Sequence, residues 1–417
     1  MKIYFEPLLS KFQCGFRKGY NAQQCLLFLI ETCRKTIDKK GFAGILMTDL
    51  SKAFDCIDHD LLIAKLHAYG FNLESLRFLK SYLTGRKQRV KINSSFSNWS
   101  NLKCGVPQGS ILGPLLFNIY ICDLFFNKIE LPIINYADDT TPFACDPISE
   151  NVTDLIEKNG NLLFDWFINN YLKANPDKSH FLTNDNKETT LNIKGEHIKN
   201  SLSQKLLGIN FNNKFCFDDH VASLCRKASQ KLNALARVAQ YMNIEQRRLI
   251  MKAFIYSQFG YCPLIWMSHS RALNNRINKI QERALRIVYK DYKTPFEQLL
   301  KKDESVTIHQ RNLQILMTEI FKTKLGINPE LMNETFEFNN SSYYFRNRNT
   351  LKRENVHTVK YGTESIKNLG AKIWDLVPQE YKMLDSISSF KNNISHWTTE
   401  ECPCRLCKKY IQNLGFI

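Results

Sequence analysis

The sequence predicts an α+β fold, and three observations predict it. Over roughly the first 210 residues, apolar runs of strand length alternate with amphipathic helical patterns. Several of those runs pair across short turns, as antiparallel hairpins do. Beyond about residue 215 strand signals fade and helical ones take over. The chain has 417 residues and 44% hydrophobic residues, enough for two or three packed units.

The elements follow in order. Met1 to Gly19 is basic and irregular. Ala22 to Thr36 is helical, with Leu26, Leu29, Ile30 and Cys33 on one face. Phe42 to Met47 is a short apolar run after Gly41 and reads as a buried strand. Asp58 caps a helix carrying Leu62, Leu66 and Tyr69, stopped by Gly70. A second helix spans Leu73 to Leu83 and ends at Gly85. Arg89–Asn93 and Trp99–Cys104 read as a hairpin pair across a Ser- and Asn-rich turn.

Gly105 to Ser110 is a loop, with Ser110 as N-cap of a buried helix from Ile111 to Phe126. Ile133–Tyr136 and Thr140–Ala144 are strands around the turn Ala137-Asp138-Asp139. A helix starts at Ser149, and further strands lie near Phe181-Leu182 and over Leu206–Phe211. The later helices are Asp219–Met242, Glu245–Gln258 and Leu273–Tyr289. They carry Arg226, Lys227, Lys231, Arg237, Arg247, Arg248, Arg283 and Arg286. A domain boundary is expected near Asn213. From about Glu304 the pattern is mixed, and Phe336–Lys352 reads as an exposed connection.

Lys plus Arg is 57 and Asp plus Glu 40, a net charge of +17 spread along the chain. Such a field attracts polyanions, and it also fits a solvated basic surface. Aromatic residues at 12% exclude general disorder. The longest apolar stretch, Ile111 to Phe126, is short for a bilayer and interrupted by Pro114, Asn118 and Asp123. Lys2, Glu6 and Pro7 break any apolar start, and 13 Cys follow no framework. The expectation is an intracellular protein of nucleus or cytoplasm, neither secreted nor membrane-spanning.

The chemistry is expected at two places where Asp ends an apolar strand: Asp49, and the pair Asp138-Asp139 at a hairpin tip. If both strands share a sheet, the carboxylates converge at its edge. Crowded carboxylates repel, and a hard divalent cation such as Mg²⁺ offsets that repulsion. Two such ions, about 3.5–4 Å apart, suit phosphoryl chemistry. Taken alone, Asp-Asp equally suits an ordinary turn.

Several motifs in order carry a resemblance. Phe12-Gln13-Cys14-Gly15-Phe16-Arg17 comes first, then Asp49-Leu50-Ser51-Lys52-Ala53-Phe54-Asp55 with Asp58-His59. Gly105-Val106-Pro107-Gln108-Gly109-Ser110-Ile111-Leu112-Gly113-Pro114 and Tyr136-Ala137-Asp138-Asp139 follow. Leu172 to Lys178 and Leu206-Leu207-Gly208-Ile209 complete the series. Residues 12–211 thereby resemble the fingers-palm region of reverse transcriptases, most closely those of non-LTR retrotransposons of the jockey kind.

The resemblance implies a right-hand polymerase fold. Residues 1–213 would be partial fingers and palm, 214–303 a helical thumb, and 304–417 a C-terminal region of unassigned role. It implies an RNA-directed DNA polymerase working on an RNA template, a DNA primer, the RNA–DNA duplex and dNTPs. Asp49 and Asp138 would bind two Mg²⁺ ions, or Mn²⁺ in their place, with Asp139 assisting. Phe54 would exclude a ribose 2′-hydroxyl. Gln108 and Gly109 would contact template and nucleotide, Lys178 would protonate the leaving pyrophosphate, and Arg17 with Lys18 would hold the triphosphate.

The chain departs from the family in that no endonuclease or upstream fingers strands precede its first motif, so a truncated element is expected. A catalytically inactive remnant that still binds nucleic acid is the alternative reading, and an intron-maturase-type splicing helper is a third. No RNase H constellation follows the thumb. Cys402, Cys404 and Cys407, with His396 nearby, offer nitrogen and sulfur donors. Some relatives carry a Cys/His knuckle at this end, but Cys-x-Cys is a poor start for tetrahedral zinc, so metal-free thiols are expected there, with zinc as the alternative.

Overall fold

The computed structural model describes residues 2–174, 178–339, 350–399, 402–404 and 406. Residues 175–177 of the Leu172–Lys178 motif, Cys407 and the middle of the Phe336–Lys352 connection lie outside them. The chain divides into two compact units, one of residues 1–20 and 42–201, the other of residues 21–41 and 202–417.

The first unit is built on a four-stranded sheet: β1 (Phe42–Met47), β2 (Ile133–Tyr136), β3 (Asp139–Asp146) and β4 (His180–Thr183), in the order β2-β3-β1-β4. All three pairings are antiparallel. β1 is apolar along its length and buried from Ala43 to Met47, because both faces of a central strand are covered. The Ser149–Asn169 helix covers one face with Val152, Ile156, Leu163 and Phe167. Gly44 makes that approach close: a Cβ there would lie 2.6 Å from Val152 and 2.9 Å from Ile156. Each fully buried Leu, Ile or Phe of this core contributes about 1.5–3 kcal/mol.

The helices His59–Ala68 and Leu73–Leu83 start where the sequence puts them. The Asp58 carboxylate accepts from Leu61 N–H, and the Asn72 amide oxygen accepts from Ser75 N–H. Ser110 Oγ accepts from Gly113 N–H, as a cap does. The following helix is shorter than expected. It runs Leu112–Ile121 and tightens to a 3₁₀ turn over Cys122–Phe126. The expected pairing of Arg89–Asn93 with Trp99–Cys104 is also corrected. Lys91–Ile92 pairs with Ser95–Phe96 across a two-residue turn, and Lys87–Gln88 pairs with Ser100–Asn101 outside it.

The second unit is mostly helical. The Ala22–Asp38 helix opens it, held by a capping box between Asn21 and Gln24. Asp218–Val238 packs on Arg271–Tyr289, and Ile308–Lys324 packs on Ile366–Leu376 and Ile387–His396. Phe321 and Phe390 stack with centroids 4.0 Å apart. The expected helix Glu245–Gln258 is regular only over Ile244–Ile250, then widens to a π turn at Met251–Ile255. The expected strand Leu206–Phe211 is instead a hairpin, Ser203–Leu206 with Ile209–Asn212. Leu207 and Gly208 turn it with φ of 44° and 82°, the signature of a tight hairpin turn. No described helix is long and apolar enough to cross a membrane.

Candidate active site on the sheet edge

The carboxylates are positioned by register. In β1 and β3, Phe42 pairs with Asp146 and Ile45 with Phe143, and the isolated bridge Thr48–Thr140 continues the ladder. Thr48 fastens it twice, donating from its N–H at 3.2 Å and its Oγ1 at 2.8 Å to the Thr140 carbonyl. One step further, the same register sets Asp49 opposite Asp139. Met47 pairs with His180 in β4, so that register, carried on, sets Lys178 opposite Asp49. Lys178 Nζ lies 3.4 Å from Asp49 Oδ2.

Asp138 comes from the hairpin tip. Tyr136 pairs with Asp139, so the loop is only Ala137-Asp138, and Asp139 already begins the return strand. Ala137 has φ of 60°, which costs a residue with a Cβ about 1–2 kcal/mol. Its surroundings impose it. Asn135 Nδ2 donates to the Ala137 carbonyl at 2.9 Å and to Thr140 Oγ1 at 3.1 Å. The Phe12–Gly15 segment backs the hairpin: Cys14 N–H donates to Asn135 O, and Asn135 N–H donates to Phe12 O. Gly15 sits so close that a Cβ would fall 2.3 Å from Ala137 N. The Phe12–Arg17 motif therefore braces the hairpin. Thr48, Asn135 and Gly15 were not singled out as site residues from sequence; the apolar strand Ile133–Tyr136 with a polar Asn in it was the available signal.

Burial, together with the Asp138 and Asp49 charges, pushes the Asp139 carboxyl up to about 6. Asp138 and Asp49 are thus near enough to Asp139 for their charges to act on it at the sheet edge. That donor set, all hard oxygen, fits a divalent cation such as Mg²⁺.

The other expected residues divide. Phe54, on the 3₁₀ turn Ala53–Asp55, is half-buried and stacks on Phe117 with centroids 4.5 Å apart. Gln108 Nε2 donates to Asp55 Oδ1 at 2.9 Å, and Val106 N–H donates to Phe54 O, so the Gly105–Ser110 loop is tied to the Asp49 segment. Gly109 is exposed with φ of 80° and open space where a Cβ would stand, so its backbone conformation is what calls for glycine.

Arg17 is not available as expected. Its side chain is 7% exposed, pairs with Glu6 at 2.9 Å and donates to the carbonyls of Ser10 and Gln13. Its guanidinium stabilises the basic N-terminal segment, and only Lys18 of that pair is exposed. The cations of the second unit divide in the same way. Arg226, Lys227, Arg237 and Arg283 are exposed. Arg247 is buried, Arg248 pairs with buried Asp303, and Arg286 pairs with Glu282.

Residues 1–211 match the family described as reverse transcriptase (RNA-dependent DNA polymerase). The chain is similar to the probable RNA-directed DNA polymerase from transposon BS of Drosophila melanogaster, 25% identical over 67% of this chain and 33% of that one. It is similar to the RNA-directed DNA polymerase from mobile element jockey of Drosophila funebris, 25% identical over 67% of this chain and 32% of that one. The probable RNA-directed DNA polymerase from transposon X-element of Drosophila melanogaster is 26% identical over 68% of this chain and 32% of that one. This chain thus spans about a third of the length of these relatives. Among solved structures, the telomerase of Candida tropicalis with a fragment of telomeric RNA shares 11% identity over 90% of this chain and 52% of that one. Its TM-score is 0.40, a likeness too loose to carry more. The family generally uses divalent metal ions. The match over residues 1–211 and these relatives show that the chain belongs to the reverse transcriptase family, on its non-LTR retrotransposon side.

Proposed function

We propose that this chain is the polymerase portion of a non-LTR retrotransposon reverse transcriptase, extending a DNA primer on an RNA template. The observation that carries the reading is the convergence of Asp49 and Asp139 across one antiparallel pair, with Asp138 at the adjoining tip. Asp49 and Asp138 hold two Mg²⁺ ions, with Asp139 assisting. Bound there, the ions supply charge neutralisation and Lewis acidity.

The reaction joins the primer 3′-oxygen to the α-phosphorus of a dNTP, the hydroxyl proton passing to water, and breaks the bond to the β-phosphate. Lys178, already beside Asp49, gives a proton to the departing pyrophosphate. Phe54 stands against the sugar. Its stacking on Phe117 holds the ring rigid, so a 2′-hydroxyl meets a wall that does not yield. Gln108, held by Asp55, and Gly109 line the template and nucleotide. The exposed Arg226, Lys227, Arg237 and Arg283 meet phosphates of the RNA–DNA duplex, which adds affinity without sequence preference.

Primer extension tests this, with an RNA template, a DNA primer, dNTPs and Mg²⁺. The chain is expected to extend, and Asp138→Asn to bind the duplex without extending it. Duplex binding with no extension by the unaltered chain would leave a binding protein and refute the polymerase reading.

A further inference from the structure

The expectation of metal-free thiols at the C-terminal cysteines rests on spacing along the chain, and the fold brings in a ligand that spacing does not show. His309, the second residue of the Ile308–Lys324 helix, meets Cys402 and Cys404 in the second unit. One ring nitrogen and the two Sγ atoms lie within 4.8 Å of one another, with His309 Nε2 3.2 Å from Cys404 Sγ. All three residues are buried, at 7%, 1% and 6% exposure. His396, the histidine nearest in sequence, is exposed and stands outside this cluster.

We propose that His309, Cys402 and Cys404 are protein ligands of a structural zinc ion that ties the C-terminal segment to the Ile308–Lys324 helix. Zinc bonds of about 2.3 Å to sulfur and 2.0–2.1 Å to nitrogen, in a tetrahedron, put ligand atoms about 3.5–3.8 Å apart. The observed cluster is within small side-chain motions of that. Imidazole with thiolate selects zinc over the hard cations that suit carboxylates.

The Cys-x-Cys objection also falls. A looped knuckle needs two or more residues between its cysteines. Here the two Sγ atoms already lie within 4.8 Å of each other and of the His309 nitrogen, with no loop between them. Pro403 fixes its own φ and drives Cys402 to the extended region.

The surroundings point the same way. His309 Nδ1 is buried without a hydrogen-bond partner. The ring's contact with the sulfurs is made through its other nitrogen, Nε2, which is the one placed to ligate a metal. Cys404 and His309 line a cavity of about 170 Å³ together with His269. The Nδ1 of His269 meets the Trp266 carbonyl at 3.0 Å, which puts the proton on Nδ1. Its Nε2 is buried, with the Asn274 side chain beside it.

The test uses the untagged full chain, stripped with a chelator and titrated with Zn²⁺ or Co²⁺ in excess Mg²⁺. One equivalent is expected to bind, and Co²⁺ is expected to show sulfur-to-cobalt charge transfer with the intense visible bands of a tetrahedral site. Cys404→Ser and His309→Ala should each weaken binding by more than the roughly 10–100-fold typical of outer-shell changes. His396→Ala and Cys225→Ser should leave it unaltered. If His309→Ala fails to fold, His309→Cys should retain the metal with stronger charge transfer. Absence of stoichiometric binding to the unaltered chain overturns the proposal, as does equal affinity in a folded His309→Ala.

Discussion

The carboxylate edge of the first unit and the His309–Cys402–Cys404 cluster of the second gather donors of opposite character. At the edge they are hard oxygens, partly exposed, on the ends of adjacent strands. In the cluster they are nitrogen and sulfur, buried, from segments more than 90 residues apart. Burial, with the Asp138 and Asp49 charges added to it, raises Asp139 to about 6, so the edge is short of compensating positive charge. The cluster has no such exposure, and a metal in it serves the fold. The contrast teaches that repulsion left partly open marks a site for chemistry, and complementary donors closed off from water mark a staple.

Removal of one oxygen donor is the sharpest way to break this contrast. Asp138→Asn is expected to lower the rate of primer extension by at least about 10³-fold, equivalent to about 4 kcal/mol. Duplex affinity and zinc content should stay close to those of the unaltered chain. A parallel collapse of duplex binding would make the tip a structural feature. The next largest effect concerns the wall beside the edge. Phe54→Ala should reduce discrimination against ribonucleotides by about 10–200-fold, the range a packing contact supplies. It removes the stack on Phe117 as well, so the melting temperature should fall. Competition between dNTPs and rNTPs reads the first effect, and unaltered discrimination would remove Phe54 from the nucleotide site.

The same contrast explains what was legible in the sequence. Asp49 follows one apolar strand and Asp138-Asp139 follow another, each in a contiguous motif, so local reading finds them, and the sheet then supplies the alignment of Asp49 with Asp139. Arg17 reads as a free cation because nothing in its motif reveals that Glu6 and two carbonyls take its guanidinium. Arg247 and Arg248 sit on a basic helix, but only packing decides which cations turn inward. The hairpin at Ser203–Asn212 is hidden by Leu207, an apolar residue in a left-handed turn position that reads as part of a strand. The hairpin of Thr190–Ile193 with Glu196–Lys199 is obscured by its polar strands, although Lys194-Gly195 between them carries a turn signal. His309 is unreadable from the tail motif, because its partnership with Cys404 spans 95 residues of chain.

A smaller effect measures what burial beside two other carboxylates does to Asp139. Asp139 has its folded value near 6, above its ordinary 3.8. A carboxyl raised in this way binds more protons folded than unfolded between those values, so its contribution to stability is complete below pH 3.8 and is lost as pH rises through about 6. Other carboxyls, such as Glu354 held down to about 2 by the Lys367 and Lys35 ion pairs against its own burial, have the opposite sign. The measurement is therefore a difference: denaturant unfolding of the metal-free chain against Asp139→Asn, from pH 4 to pH 7. The variant should gain stability relative to the unaltered chain as pH rises, and saturating Mg²⁺ should remove that gain. A constant difference across the window would mean that Asp139 is already compensated.

The smallest expected effect tests how the second unit meets nucleic acid. Arg283 is exposed on the Arg271–Tyr289 helix, while Arg286, three residues on, is held by Glu282. Only the first has its charge free for a phosphate. Arg283→Gln should weaken duplex binding by a similar factor on every sequence. The slope of log affinity against log salt should fall by about 0.7–0.9, one phosphate contact's worth. Arg286→Gln should leave the slope in place and act on the helix instead. Fluorescence anisotropy of a labelled RNA–DNA duplex over a salt series separates the two. Equal slopes for Arg283→Gln and the unaltered chain would place the duplex elsewhere. A loss confined to one sequence would also refute the backbone role, because phosphate contacts carry no base information.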